Sequence, residues 1–189
     1  MANEIGAILK ILIENQEEKF SIRKLSKLRK INYKSAYNVI MKLEEQGIIK
    51  LEKLGNLNSC VFNKTFNPLV FKVEDERRQE LLKNKNFKII YSRLNELKFP
   101  LIVLLFGSFI KKKQDKHSDI DLLVISEEQK EVEQAISLIP INIHLTNISS
   151  KEFLDMTKSK EFSVVSEAIK KNIILIGIED YYRLIKNVR

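Results

Sequence analysis

Leu101 to Phe106 is an unbroken apolar run that starts directly after Pro100 and stops at Gly107-Ser108, and this segment restricts the chain more than any other. A short apolar run bounded by proline and glycine reads as a buried strand. Ten residues after Ser108, Ser118-Asp119-Ile120-Asp121 opens a second such run, Leu122 to Ile125. Alternation along a strand puts Asp119 and Asp121 on one face, about 7 Å apart along the backbone, with Ile120 turned the other way. Two neighbouring carboxylates repel unless a cation lies between them, and Mg²⁺ prefers such oxygen ligands. The Gly-Ser turn is the complementary half. A glycine lets backbone N–H groups approach phosphate oxygens, and a serine hydroxyl donates to them.

Other chemistries are excluded by what the chain lacks. Cys60 is the single cysteine, which rules out an intramolecular disulfide and a cysteine-based zinc site, and two histidines make no zinc cluster. Any metal must use oxygen ligands. No apolar run approaches the roughly 18 residues that span a bilayer. A soluble, cytoplasmic protein without a membrane partner is expected.

The formal charge of +8 is unevenly spread. Lys19, Arg23, Lys24, Lys27, Arg29, Lys30, Lys34 and Lys42 follow one another with no acidic residue between them. Around this basic block, Ile5, Ile8, Leu9 and Leu12 mark one face of a first helix. Ser21 caps a second helix carrying Leu25 and Leu28, and Asn32 caps a third carrying Ala36, Val39, Ile40 and Leu43, which Gly47 stops. Two β-branched segments, 48–54 and 59–63, then flank the turn-rich residues 55–58. The order helix, helix, helix, hairpin resembles the winged helix-turn-helix of small prokaryotic DNA-binding regulators. That resemblance implies double-stranded DNA as partner, read by the third helix. Tyr33, Lys34, Ser35, Tyr37, Asn38 and Lys42 are left on its outer face and suit bases and phosphates. A homodimer on two half-sites is a general expectation for such modules.

Leu105-Phe106-Gly107-Ser108, ten residues, then Asp119-Ile120-Asp121-Leu122-Leu123-Val124 resembles the signature of the DNA polymerase β-like nucleotidyltransferase superfamily, with the closest likeness to minimal prokaryotic members. The resemblance implies a nucleoside triphosphate, ATP as the expected one, lying against Gly107, Ser108 and Ser118. It implies Mg²⁺ or Mn²⁺ on Asp119 and Asp121 as catalytic metal ligands, with a nucleotidyl group passing to an acceptor hydroxyl. A protein acceptor or toxin partner is the acceptor expected for an antitoxin-like member. Lys111, Lys112 and Lys113 either neutralise phosphate charge or form a solvated loop tip, and His117 is read as structural.

Active members of the superfamily add a third carboxylate on a neighbouring strand. Here, after a helix carrying Val132, Ala135, Ile136 and Ile139, the strand 141–145 offers Asn142, His144 and Thr146 on its polar face, with no acid. Transfer is therefore weighed against a non-catalytic regulator whose pocket senses a nucleotide. The expected organisation is an α/β (α+β) two-domain chain: a winged helix at 1–65, a helical connector at 66–85, and a nucleotidyltransferase-like mixed sheet with flanking helices at 86–189. Tyr181 and Tyr182 are usable phenol acceptors in principle but read as packing residues.

Overall fold

A computed structural model describes residues 2–16, 18–54, 57–110, 119–159 and 163–186. The chain divides into two compact units, residues 1–73 and 74–189. No helix among the described residues is long and apolar enough to cross a membrane.

The first unit contains α1 (Ala2–Glu14), β1 (Phe20–Ser21), α2 (Ile22–Arg29), α3 (Tyr33–Glu45), β2 (Ile49–Leu54) and β3 (Leu57–Phe62). Its three strands are antiparallel, in the order β1-β3-β2. Local chemistry fixes the helix starts: Ser21 Oγ accepts from the Lys24 N–H at 3.2 Å and Asn32 Oδ1 from the Ser35 N–H at 2.7 Å. Ile8, Leu9 and Leu12 of α1, Leu25 of α2, and Ala36, Val39, Ile40 and Leu43 of α3 form the core with Ile48, Ile49, Cys60 and Phe62.

Two expectations need correction. Leu28 is 52% exposed instead of facing the core. The inward face of α2 belongs to Ile22, Leu25 and Ser26, and one helical turn past Leu25 it is Arg29 that continues that face. Arg29 ends there in a two-pronged ion pair with Glu4 at 3.2 and 3.3 Å. The hairpin is also tighter than read from composition, since Leu54 pairs with Leu57. Strand β1 has no periodic signature at all, being two residues long.

α4 (Pro68–Leu81) runs through the boundary between the units. Asn67 Oδ1 accepts from the Leu69 N–H at 2.8 Å, with Pro68 as first helical residue. The second unit continues with α5 (Lys85–Asn95), β4 (Ile102–Phe106), β5 (Ile120–Ile125), α6 (Gln129–Ser137), β6 (Ile143–Ile148), α7 (Ser150–Lys158), α8 (Val164–Lys170), β7 (Ile173–Ile176) and α9 (Ile178–Lys186). Its sheet is mixed, in the order β6-β5-β4-β7: β4 is antiparallel to β5 and β7, and β5 is parallel to β6. On one face Val103, Leu105, Ile120, Leu122, Val124 and Leu175 pack with Phe87, Ile90 and Leu94 of α5 and Val132, Ala135 and Ile136 of α6. α8 and α9 contact β4 as well. Every residue of β4 is buried, which explains its continuous apolar sequence.

A buried polar cluster ties the second half of α4 to the end of the chain. The Tyr182 hydroxyl donates to Glu74 Oε1 at 2.6 Å, the Arg77 guanidinium pairs with Glu74, and its Nη2 donates to the Asn172 carbonyl at 2.7 Å. Glu74 and Arg77 are 1% and 4% exposed, so this pairing is what makes their burial tolerable. Tyr181 and Tyr182, 2% and 1% exposed, are packing residues with engaged hydroxyls, which removes them as acceptors.

Candidate active site

The carboxyl end of β4 and the amino ends of β5 and β6 meet at one edge of the sheet. This follows from the topology: β4 runs toward that edge, antiparallel β5 leaves it, and β6, parallel to β5, starts there too. Phe106 stands opposite Asp121, and Asp121 stands beside His144. The three polar segments singled out in the sequence therefore converge, although 119 and 144 lie far apart in the chain.

Gly107 sits at φ +76°, a conformation that residues with a Cβ rarely adopt. A Cβ there would lie 2.0 Å from Asp121 Oδ2 and 2.7 Å from its Cγ. The missing side chain is thus what lets the Asp121 carboxylate lie against the turn. Ser108 is half-buried beside it. Ser118, Lys111, Lys112, Lys113 and His117 lie outside the described residues.

Asn142 and His144 fill the positions across from the two acids. The Asn142 amide donates to Asp119 Oδ1 at 2.7 Å, and His144 Nδ1 lies 3.2 Å from Asp121 Oδ1. With its proton on Nδ1 the ring donates to Asp121 and leaves Nε2 as an acceptor. The two pairs repeat along the parallel ladder, residue i with i and i+2 with i+2. Asn142 itself precedes β6, and its carbonyl accepts from the Ile120 N–H at 3.1 Å, which aligns the ladder. The sequence had these residues on the right face of the strand, but not the hydrogen bonds that they make to Asp119 and Asp121.

Residues 88–181 match the family model described as "Polymerase beta, Nucleotidyltransferase". That segment is similar to the nucleotidyltransferases of this family. No curated protein and no solved structure matches the chain. The match spans β4, β5, α6, β6 and β7, so every strand of the mixed sheet lies inside the nucleotidyltransferase segment.

Nucleotidyltransferases generally use a nucleoside triphosphate with divalent metal, so the donor set of this edge has to be compared with that requirement. Asp119 and Asp121 each keep one carboxylate oxygen outside the bonds to Asn142 and His144, and both are hard oxygen donors of the kind Mg²⁺ takes alongside phosphate and water. Among the described residues no group of three or more His, Cys, Asp or Glu is placed to hold a metal ion. The acids present fit a cation held by two carboxylates and completed by its ligand.

The outer face of α3 presents the six residues expected there. Tyr33 and Tyr37 are 54% and 43% exposed, and Lys34, Ser35, Asn38 and Lys42 are exposed with them. The two phenol rings stack, one helical turn apart, with centroids 6.3 Å apart and planes inclined by 27°. Ala36, Val39, Ile40 and Leu43 take the opposite face into the core.

Proposed function

We propose that this protein is a DNA-binding regulator whose nucleotidyltransferase domain binds a metal-complexed nucleoside triphosphate, ATP as the expected one, and transfers its nucleotidyl group to a hydroxyl of a protein partner, the α–β phosphoanhydride bond breaking to release pyrophosphate. The observation that carries the reading is the Asp121 carboxylate resting on Gly107, where any side chain would displace it, with Asp119 beside it at the same end of the sheet. Gly107 and Ser108 receive the phosphates through backbone N–H groups and a hydroxyl. Ser118 is assigned to the same phosphates by the motif. Asp119 and Asp121 are the residues that would hold Mg²⁺ or Mn²⁺. The cation, when bound, polarises the phosphoryl oxygens and offsets their charge. His144, held by Asp121, has its Nε2 available to accept the proton of an acceptor hydroxyl.

The first unit supports a winged-helix assignment, with α3 as the helix that enters the major groove of double-stranded DNA and the β2–β3 hairpin as its wing. Lys34 and Lys42 suit phosphates, and Tyr33, Ser35, Tyr37 and Asn38 suit base edges and sugars. The basic block 19–42 coincides with α2 and α3, which favours DNA over general solvation.

Incubation with Mg²⁺ and ATP labelled at the α-phosphate, with and without co-purifying proteins, tests the transfer. Labelled protein is expected, and Asp119→Ala and Asp121→Ala must each abolish the label; label surviving both variants refutes the assignment. A second reading has its own support: Asn142 and His144 stand where an active member carries an acid, and neutral donors in that position favour a pocket that senses a nucleotide without turning it over. Nucleotide-dependent gel shifts on the DNA upstream of the protein's own gene, with no covalent label, identify that case.

A further inference from the structure

β6 forms one edge of the four-stranded sheet, and its hydrogen-bonding pattern divides its residues in two. The Ile120 N–H donates to the Asn142 carbonyl and the Ser126 N–H to the Ile148 carbonyl, at 3.1 and 3.0 Å. In a regular parallel ladder the alternate residues therefore bond to β5, and those are the even-numbered ones. Ile143, Leu145 and Asn147 direct their N–H and C=O groups away from the sheet. Among the described residues nothing pairs with those groups.

Nothing on this edge discourages pairing. Natural sheets protect long edges with lysine, proline, inward charges or bulges. The segment Ile143-His144-Leu145-Thr146-Asn147-Ile148 contains no Lys, Arg, Asp, Glu or Pro, and its register with β5 is continuous over six residues. α6 packs on β6, and Leu138, just past its last turn, is 67% exposed, the most exposed large apolar residue described.

We infer that β6 pairs antiparallel with β6 of a second copy of this chain, joining two four-stranded sheets into one across a two-fold axis at Leu145. Two independent conditions select this register. For the joined sheet to keep its α5/α6 face on one side, odd residues must oppose odd residues, because side chains alternate strictly. For the new ladder to form, the residues exchanging hydrogen bonds must be those whose groups point outward, which are also the odd ones. Leu145 opposite Leu145 satisfies both and gives the fullest overlap, with Ile143 opposite Asn147 and His144 opposite Thr146. The pairing places no like charges in register, and a second copy is the partner whose strand meets the parity condition on both sides by symmetry. It also sets the Thr146 hydroxyl of the second copy beside His144, on the β6 side of the candidate site. This inference does not depend on nucleotide binding or transfer.

Sedimentation equilibrium and amide hydrogen exchange on the full chain test it. The expected mass is twice 22.1 kDa, falling toward 22.1 kDa on dilution. The amides of Ile143, Leu145 and Asn147 are expected to exchange slowly in the dimer and to lose that protection on dilution, while those of Leu122 and Val124 keep theirs. Leu145→Pro removes an outward donor without touching the ladder to β5 and is expected to give a monomer with an unchanged strand signal in circular dichroism. If that variant unfolds, the exchange pattern of the unmodified protein decides. A monomer at all concentrations overturns the inference, and so does a dimer in which the three amides exchange freely.

Discussion

Gly107→Ala is the sharpest single test of the candidate site, because one methyl group acts on backbone and carboxylate at once. At φ +76° an L-residue carries a left-handed penalty of about 1–2 kcal/mol. The added Cβ also meets Asp121 Oδ2 at 2.0 Å. A carboxylate oxygen is the movable end of its side chain, so Asp121 swings off the turn and off His144, and the backbone stays. The stability loss should then stay near the left-handed term, roughly 4–8 °C in melting temperature at about 4 °C per kcal/mol. The functional loss should be larger, because the displaced carboxylate and the filled turn are the two halves of the proposed nucleotide site. Gly177→Ala is the control. It has φ +77°, but its Cβ would meet the Leu101 carbonyl at 2.7 Å, a backbone atom that cannot turn aside. Overpacking of that kind adds about 1–3 kcal/mol. Gly177→Ala should therefore melt lower than Gly107→Ala and yet, below its melting range, bind nucleotide like the parent. Calorimetric titration with Mg²⁺ and a non-hydrolysable ATP analogue reads both variants, with more than tenfold weaker binding expected for Gly107→Ala alone. Parental affinity in Gly107→Ala, or equal loss in Gly177→Ala, refutes the reasoning.

Four further outcomes follow from the same geometry. Tyr182→Phe strips a buried carboxylate oxygen of Glu74 of its 2.6 Å donor and should cost about 1–3 kcal/mol in urea unfolding. Burial, and then the charge of Glu44, pushes the Cys60 thiol from its ordinary 9.0 up to about 12. The unfolded thiol ionises first, so the stability it contributes is complete below 9.0 and is lost as pH rises toward 12; Cys60→Ala should flatten that alkaline slope, and Tyr181 and Tyr182, raised by burial, act in the same direction at higher pH. Lys34→Ala and Lys42→Ala should each lower the salt dependence of DNA binding by about one unit of slope, measured by fluorescence anisotropy across a salt series, without altering sequence preference. Asn142→Asp replaces the amide that donates to Asp119 by a third acid, so its melting temperature should fall without Mg²⁺ and recover when Mg²⁺ is added, in differential scanning fluorimetry.

Much of the candidate site was legible because its signals are local. A continuous apolar run fixes β4, Gly107 ends it, and the alternation Asp119-Ile120-Asp121 puts the acids on one face whatever else the chain does. Caps were equally readable at Ser21, Asn32 and Asn67, where a side-chain oxygen serves an N–H two or three residues on. What stayed hidden depends on residues distant in sequence. Nothing near Leu28 signals that Arg29 will take its place by pairing with Glu4, 25 residues away. The segment of α4 reads as a helical connector, and Tyr182, 108 residues later, is the partner that joins Arg77 in making a buried Glu74 tolerable. β1 exists because β3 lies beside it, and two residues carry no period of their own.

The replacement of an acid by Asn142 and His144 changes the electrostatics of the aspartate pair, not only their neighbourhood. Two carboxylates on adjacent same-face positions, with a third opposite, repel one another until a cation arrives, so such a site is strained without metal. Here each aspartate has a neutral or protonatable donor of its own, Asn142 Nδ2 at 2.7 Å and His144 Nδ1 at 3.2 Å. Those two hydrogen bonds offset part of the repulsion with no cation between the acids, and the second oxygen of each aspartate stays outside them. Under the proposed function, an aspartate pair that keeps its own donors without a cation suits a pocket that is empty or occupied according to nucleotide supply, whether or not transfer follows binding.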